Sequence, residues 1–540
     1  MREVLAGTNR RTVEALPLVV LVVSVAMAYW PAVSADWIRD DYWNLAVARM
    51  VGNPWALFVT DHFHAPGSHF RPLAYFAYWA TQVMFGAGHT AQAWVEGAIH
   101  LTVTILLYAL IRQVAAIGPS LAAALLFGVH PAVVTTAAWY ADRGGHLALL
   151  FTLAAMLVAS LERWPFGKRV ALSVALALAA MLSKETGLIA VPALAIIGWF
   201  SSERRDRRYM LVAALVGATL VFLAWRAWIL GTFSSNTLGQ VPLTIILVQG
   251  LGKWLAQFAD YASIWPKLGT AAKTFSVALV TLAAVLAWHL RRVADRNASA
   301  PWPMLNAACV LIVGPGILQA PVAAQNALPM THDMSWVEFA MQARLYYVTA
   351  AGIAIVAATA LDGIWNTPSN AGRRVLLTTS CAVCAVAVAS GWQAVDGYRR
   401  RSIEIGALAR EAAAAVAASH LPAGRCKIAF QGIEPPPEWD VYVSMDEVVK
   451  ALSPDVSAVS RCLVTDNYGA FVYLLPPPDA EAFARLIPSR SGAAGEPLPV
   501  RRIGHLALAY FPVFPTPAMQ DGALRFHWRD GAFSHGDMAQ

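Results

Sequence analysis

Two adjacent carboxylates stand just beyond the first apolar stretch, in the segment ADWIRDDYWNLA. Asp40 and Asp41 repel each other, which raises the proton affinity of at least one of them. A carboxylate held near a dry surface could act as the general base for a hydroxyl nucleophile. The alternative is structural, because Asp residues also cap the start of a helix. Taken alone, the pair favours the cap.

Histidine and arginine side chains follow in the same segment, DHFHAPGSHFRPLAYF. His62, His64 and His69 could suggest a metal site, but no further ligand pattern accompanies them. Hydrogen bonds to a substrate or to the loop itself are favoured instead. Arg71 could bind a phosphate through its guanidinium, or it could be an interfacial arginine whose head reaches water.

Further charged residues interrupt or border the later apolar stretches. Glu96 and His100 are four residues apart and share a helix face, so they pair with each other or line an internal cavity. Other such groups are His130, Asp142, Arg143 and His146, then Lys184 and Glu185, then Arg344, Tyr346 and Tyr347. Several basic residues from separate helices, all predicted on one side of a membrane, suggest a shared anion site.

The composition indicates which elements must position these residues. Of 540 residues, 58% are hydrophobic and 14% are charged, with a mean hydropathy of +0.51. This excludes a soluble enzyme, a disordered chain and a fibre, and it indicates a polytopic membrane protein. Because the basic residues form short clusters between apolar runs, the net charge of +7 reflects membrane topology, and a nucleic-acid partner is not expected.

The apolar stretches predict about eleven transmembrane helices, each near the ~20 residues that cross a bilayer. They lie near residues 16–35, 91–111, 120–138, 145–161, 169–183, 186–201, 209–230, 274–290, 303–322, 345–361 and 375–393. The aromatic-rich stretch 73–86 predicts a partial helix along the interface. The segment PAVSA resembles a signal-peptidase site, but the preceding apolar run is too long, so an uncleaved first helix is favoured.

Lys and Arg residues fall in alternate loops, which places the N-terminus in the cytoplasm. The chemistry-bearing residues and the C-terminal region then lie outside the cytoplasm. The cluster Arg399, Arg400 and Arg401 disagrees, because it would lie on the outer side. We expect an integral protein of a bacterial inner membrane, with its active site in the periplasm.

The composition changes near residue 395, where Pro-rich segments separate short strand-like runs. We predict a transmembrane domain over 1–394, with a large first outer loop at 36–90, and a C-terminal soluble α/β domain over 395–540. A helix near 402–419 should lead into strands at CKIAF, DVYVSM and GAFVYLL. In this domain Cys426 and Cys462 form either a disulfide or two buried thiols.

The ordered set of motifs resembles the GT-C superfamily of polytopic glycosyltransferases. The likeness is greatest to the transmembrane O-mannosyltransferases with tetratricopeptide repeats, and it extends to the protein O-mannosyltransferases. The acidic pair follows the first span, and SHFRPLAYF with IHLTVTILLYAL, HPAVVTTAAWYADRGGHLALLF, KETGL and ARLYYVTAAGI follow in the family's order over residues 16–390. This sequence departs at Thr102 or Thr104, at Thr135 and at Ala343, and the repeats are missing.

The resemblance implies an inverting transferase that uses a polyprenyl-phosphate-linked sugar, a mannose-like hexose, and an acceptor hydroxyl. Asp40 is then the base and Asp41 its orienting partner, or the reverse. The leaving phosphate is anionic, so cationic donors stabilise it. Arg344 is the first candidate for binding this phosphate, and the further candidates are Arg71, Arg143 and Lys184. The residues expected to bind substrate are His69, His130, Asp142, Glu185 and Tyr346. Some members use a divalent metal, but no second acidic ligand set here demands one.

Three alternatives stay open at this stage. The acceptor could be a glycolipid or an envelope glycan instead of a protein. The protein could be a transporter or flippase of lipid-linked sugars, although such proteins favour inverted repeats and charges near the bilayer midplane. It could also be a binding or scaffold protein with a decayed active site.

Overall fold

A computed structural model gives the architecture. It describes residues 2–60, 69–201, 205–231, 244, 246–250, 252–254, 302–326, 334–366, 370–422, 424–433, 444–466, 471–475, 478, 500–503, 506–511, 521–529 and 531–536. The chain divides into two compact units. The helical unit comprises Met1–Val33, Ala93–Ala224 and Thr237–Tyr398, and the mixed unit comprises Ser34–Gln92, Trp225–Asn236 and Arg399–Gln540.

Most of the described chain is helical. The principal helices are Arg2–Tyr29, Asp40–Met50, Pro72–Phe85, His89–Ile111, Ile117–Val129, Pro131–Ala138, Arg143–Ala159, Phe166–Ser183, Ala190–Ser201, Arg205–Leu230, Trp302–Asn326, Trp336–Ala343, Tyr347–Trp365 and Asn370–Ala417. Among the residues described, seven helices are long and apolar enough to cross a membrane, and an eighth span arises if one bent pair counts once. The chain is therefore an α-helical polytopic membrane protein, as predicted.

Ten of the eleven predicted spans coincide with helices, two of them with shorter apolar helices over Glu185–Phe200 and Pro303–Leu318. The predicted span 274–290 lies outside the described residues. The stretch 73–86 is a helix, Pro72–Phe85, and its position along the interface stays a prediction.

The span predicted at 120–138 is bent by 51° between Ile117–Val129 and Pro131–Ala138. Pro131 lacks an N–H and is suited to the first position of a helix, so the second helix begins there. The His130 side chain accepts a hydrogen bond from the Ala132 N–H at 3.3 Å and caps this start. Gly391 of Asn370–Ala417 packs against the bend, where a Cβ would lie 2.2 Å from the Val129 carbonyl oxygen.

The C-terminal region contains the predicted α/β structure in two sheets. The first has the order β2-β1-β6-β7, built from β1 (Cys426–Gln431), β2 (Cys462–Thr465), β6 (Leu524–Arg529) and β7 (Ala532–Gly536). β1 pairs in parallel with β2 and with β6, while β6 and β7 are antiparallel. The second sheet is antiparallel, with the order β3-β5-β4, from β3 (Phe471–Leu475), β4 (Val500–Ile503) and β5 (Leu506–Phe511).

The parallel pair β1 and β2 needs a crossover, which the helices Met445–Leu452 and Val456–Val459 supply. The predicted strands at CKIAF and GAFVYLL are present as β1 and β3. In DVYVSM, Met445 begins a helix and residues 440–443 lie outside the described part of the chain. Cys426 and Cys462 are register partners on β1 and β2 and form a disulfide.

The mixed unit joins the first loop to the C-terminal region, a grouping that the predicted division at residue 395 did not include. Residue 395 itself lies within the continuous helix Asn370–Ala417. Asp36 accounts for part of the grouping, because its N–H donates to the Ser402 hydroxyl at 3.0 Å and its carboxylate forms a salt bridge with Arg410. The predicted domain boundaries stay a prediction.

Candidate active site

The two carboxylates of the acidic pair have different surroundings. Asp40 begins the helix Asp40–Met50 and is exposed. Asp41 is fully buried, and its Oδ2 accepts a hydrogen bond from the Ile38 N–H at 3.0 Å. Asp41 thus holds the backbone of the turn before the helix, and among the described residues no side chain caps the helix start itself. Asp40 presents its carboxylate to the surroundings.

The residue before this pair has an unusual backbone. Arg39 has a φ of 37°, and it is the one non-glycine residue with positive φ within the described ranges. This region is costly for a residue with a Cβ, and such strain is concentrated at functional sites. The conformation turns the chain abruptly into the helix and places Asp40 at its first position.

Glu447 lies near Asp40, although 407 positions separate them in the sequence. Burial, followed by the negative charges of Asp40, Asp446 and Asp466, raises the pKa of Glu447 well above its ordinary value. Its helix, Met445–Leu452, packs on Asp40–Met50. Sequence analysis missed Glu447, because only the fold brings the two segments together.

Arg49 fastens these two helices to each other. Its guanidinium donates to the Ser453 carbonyl oxygen at 2.8 Å and to the Ala451 carbonyl oxygen. Carbonyls at a helix end lack partners within the helix, and a guanidinium with several donors can satisfy two of them at once. The first-loop helix therefore has a defined place on the C-terminal region.

A separate cluster of buried charges lies in the helical unit. Arg143 Nε contacts Glu96 Oε1 at 2.6 Å, and the two side chains are 0% and 1% exposed. His146 Nδ1 lies 3.3 Å from the other oxygen, Glu96 Oε2. Glu96 therefore pairs with the helix Arg143–Ala159, and not with His100 as one of the two sequence-based alternatives had it.

His100 instead contacts two other elements. Its Nδ1 lies 2.9 Å from the Tyr347 hydroxyl, and its Nε2 lies 2.8 Å from the Gly128 carbonyl oxygen. The Tyr347 ring also packs on His146, with centroids 4.8 Å apart. These contacts connect four helices, and Tyr347, which the sequence only placed beside Arg344, is at their centre.

Two more cations stand beside aromatic or acidic partners. Lys184 Nζ contacts Asp142 Oδ1 in an ion pair. The half-buried Arg344 places its guanidinium 5.2 Å from the centre of the Trp139 ring. Trp139 was absent from the predicted site, although its position in WYAD, three residues before Asp142, was the available signal.

Within the helical unit, the structure brings two pairs of predicted site residues into contact, Lys184 with Asp142 and His130 with Tyr346. His130 and Tyr346 pack ring to ring with centroids 5.9 Å apart, and Glu185 begins the turn that follows Lys184. His69 and Arg71 lie in the mixed unit, where Arg71 precedes the helix Pro72–Phe85 and both are partly buried. His62 and His64 lie outside the described residues. The binding roles of all these residues stay predictions.

Metal binding was the remaining possibility for the polar clusters. Among the described residues, no group of three or more His, Cys, Asp or Glu side chains is arranged to hold a metal ion. Residues outside that part of the chain include Asp61, His62 and His64.

No family model matches the sequence, and no curated protein sequence matches it. Among solved structures, the chain is similar to ArnT from Cupriavidus metallidurans bound to undecaprenyl phosphate. The identity is 14% and the TM-score is 0.47, over 91% of this chain and 97% of that one. It is also similar to the archaeal oligosaccharyltransferase AglB from Archaeoglobus fulgidus, in complex with an inhibitory peptide and a dolichol-phosphate. Here the identity is 12% and the TM-score is 0.40, over 84% and 64% of the two chains. Both likenesses concern the fold alone.

Proposed function

We propose that this protein is a membrane glycosyltransferase of GT-C type. It transfers a sugar, a mannose-like hexose, from a polyprenyl-phosphate donor to an acceptor hydroxyl on the extracytoplasmic side. Asp40 takes the proton of the acceptor as its oxygen attacks the anomeric carbon. The bond to the polyprenyl phosphate breaks with inversion, and the phosphate leaves as an anion.

The observation that carries the proposal is the unequal environment of the acidic pair. A general base needs an accessible oxygen, and Asp40 is exposed whereas Asp41 is buried and occupied by the Ile38 N–H. This supports Asp40 as the base and gives Asp41 the task of fixing the turn that orients it. The strained backbone at Arg39 supports the same assignment.

Arg344 is the preferred ligand for the leaving phosphate. It is half-buried and lies against the Trp139 ring, so its charge is only partly desolvated. Arg143 and Lys184 contact the carboxylates of Glu96 and Asp142, and in this proposal they hold the helices around the donor. Arg71 remains a further candidate for the phosphate.

The disulfide between Cys426 and Cys462 supports an extracytoplasmic C-terminal region, because disulfides persist in oxidising compartments. This agrees with the orientation predicted from the basic loops. Labelling of the two thiols with a membrane-impermeant maleimide, after reduction of intact cells, tests the orientation. Labelling only after the membrane is lysed would place the region in the cytoplasm.

The function is tested in a deletion strain complemented with single variants. Mass spectrometry of envelope proteins and glycolipids should show a hexose modification that the wild-type gene restores. Asp40→Asn should fail to restore it, with a loss of at least about 100-fold, because the amide cannot accept the proton. Asp40→Glu serves as the matched control, since it keeps a carboxylate and should retain partial transfer.

Membrane insertion is checked by the yield of the full chain in the membrane fraction. Full transfer by Asp40→Asn with an inactive Asp41→Asn would exchange the two roles. If both variants and their double variant transfer sugar normally, the base assignment is wrong. The same spectra distinguish a protein acceptor from a glycolipid or envelope glycan. Loss of sugar-lipid movement with no missing modification would indicate a transporter.

A further inference from the structure

Three of the buried polar atoms that have no hydrogen-bond partner among the described residues belong to one short segment of the helical unit. They are Trp139 Nε1, Asp142 Oδ2 and His146 Nε2. Their residues are 1%, 4% and 0% exposed. Folded proteins pair nearly all such atoms, since an unpaired one costs about 1–3 kcal/mol.

The three residues follow one another at spacings of three and four. They run through the 3-10 turn Tyr140–Asp142 into the first turn of the helix Arg143–Ala159. The Asp142 N–H donates to the Trp139 carbonyl oxygen at 3.2 Å. A Cβ at Gly145, the residue before His146, would lie 2.6 Å from Asp142 Oδ2, so the Asp142 carboxylate lies on the first turn of this helix. The three residues therefore belong to one local segment.

The contacts of the neighbouring atoms indicate whether each unpaired atom donates or accepts a hydrogen bond. Asp142 Oδ1 contacts Lys184, so Oδ2 is left as an acceptor. His146 Nδ1 faces Glu96 Oε2, so it carries the proton and Nε2 accepts in the neutral ring. Trp139 Nε1 can only donate. The set offers one donor and two acceptors.

A hydroxyl both donates and accepts, so two neighbouring hydroxyls match this set. An anion is disfavoured by the Asp142 carboxylate, and a metal ion or an ammonium group offers no acceptor for the Trp139 N–H. Gly145 makes room for the Asp142 carboxylate itself, because a Cβ there would lie 2.6 Å from Asp142 Oδ2.

We propose that Trp139, Asp142 and His146 bind hydroxyl groups of the donor sugar, next to the Arg344 guanidinium on the Trp139 ring. The inference rests on the proposed function and deepens it. It divides the donor site into two parts. One part is cationic and binds the phosphate, and the other binds the hydroxyl groups of the sugar. Trp139 belongs to both, because its ring contacts Arg344 and its N–H faces the sugar.

The test compares lipids with and without a sugar, using the purified full-length protein in nanodiscs. The probes are undecaprenyl phosphate and its mannose-, glucose- and galactose-linked forms, and native mass spectrometry gives their relative affinities. The wild type should bind at least one sugar-linked lipid more tightly than undecaprenyl phosphate.

Three variants should reduce that preference and leave the affinity for undecaprenyl phosphate unchanged. Trp139→Phe keeps the aromatic ring and removes one donor, for a loss of about threefold to tenfold. Asp142→Asn replaces a charged acceptor, for a loss of about tenfold or more. Gly145→Ala displaces the Asp142 carboxylate, because the new Cβ would lie 2.6 Å from Oδ2. Its matched control is Gly217→Ala, because nothing lies within 4 Å of the Cβ position there.

Each outcome decides the inference. A preference unchanged in all three variants would show that the atoms hold only water, and would overturn it. So would a wild type that binds undecaprenyl phosphate but prefers none of its sugar-linked forms. Failure of the wild type to bind undecaprenyl phosphate would instead contradict the proposed function. Trp139→Phe is the smallest change, so it remains informative if the other variants lose their fold.

Discussion

Replacing either member of the buried Glu96–Arg143 pair should destabilise the protein strongly, whereas replacing both should cost much less than the sum. The perturbations are Glu96→Leu, Arg143→Met and the double variant. Each single change leaves a charge enclosed in the core, since the two side chains are 1% and 0% exposed. Breaking such a pair costs about 3–5 kcal/mol, because the remaining charge has lost both water and its partner.

The two single variants should differ. Arg143→Met leaves Glu96 with His146 at 3.3 Å, so we expect a loss near the lower limit, about 3 kcal/mol. Glu96→Leu removes the anion from both Arg143 and His146, so we expect a loss near about 5 kcal/mol. The double variant removes the isolated charge, and the coupling between the two positions should be at least about 2 kcal/mol.

The assay is equilibrium unfolding of the purified protein in mixed micelles with increasing dodecyl sulfate, followed by circular dichroism. Leu172→Ala is a suitable control, because that side chain is 39% exposed on the helix Phe166–Ser183. The reasoning is refuted if the single losses simply add in the double variant, or if each is below about 0.5 kcal/mol. Either result would mean that the two charges do not depend on each other.

Two further predictions concern the mixed unit. Removal of the disulfide by Cys426→Ser with Cys462→Ser should lower the free energy of unfolding by about 4 kcal/mol, from the chain entropy of a 36-residue separation. Urea midpoints check this against Cys381→Ser, an exposed free cysteine, and equal midpoints for all three proteins would contradict it. The second prediction is that Glu447 makes the mixed unit less stable as the pH rises. Burial and the charges of Asp40, Asp446 and Asp466 raise the pKa of Glu447 above 4.5 in the folded state. The folded state therefore holds the proton more tightly than the unfolded state does. This contribution is complete below about pH 4.5 and is lost as the pH rises through the raised pKa. Glu447→Gln should flatten the decline of stability above about pH 4.5. A wild type and variant with parallel pH profiles would show that Glu447 does not titrate differently in the two states.

The candidate site could be predicted in part because a charged residue in an apolar segment has a high free-energy cost, which favours a functional role. Charged groups such as Glu96, Arg143 and Lys184 interrupt apolar helices, and a sequence shows this directly. Their partners could not be predicted, because i,i+4 spacing suggested Glu96 with His100, whereas the fold supplies Arg143 from another helix at 2.6 Å. Glu447 had no signal at all, since its neighbour Asp40 is distant in the chain.

The sequence by itself determined the membrane class, the positions of ten apolar helices and the mixed character of the C-terminal region, because these depend on local hydropathy and local turn residues. The tertiary structure alone decided which carboxylate of the acidic pair is buried, which cations have acidic partners, and that Cys426 meets Cys462. It also left Trp139, Asp142 and His146 each with a buried polar atom that has no hydrogen-bond partner among the described residues. Burial and pairing are properties of neighbours in space, and a linear order of residues does not contain them.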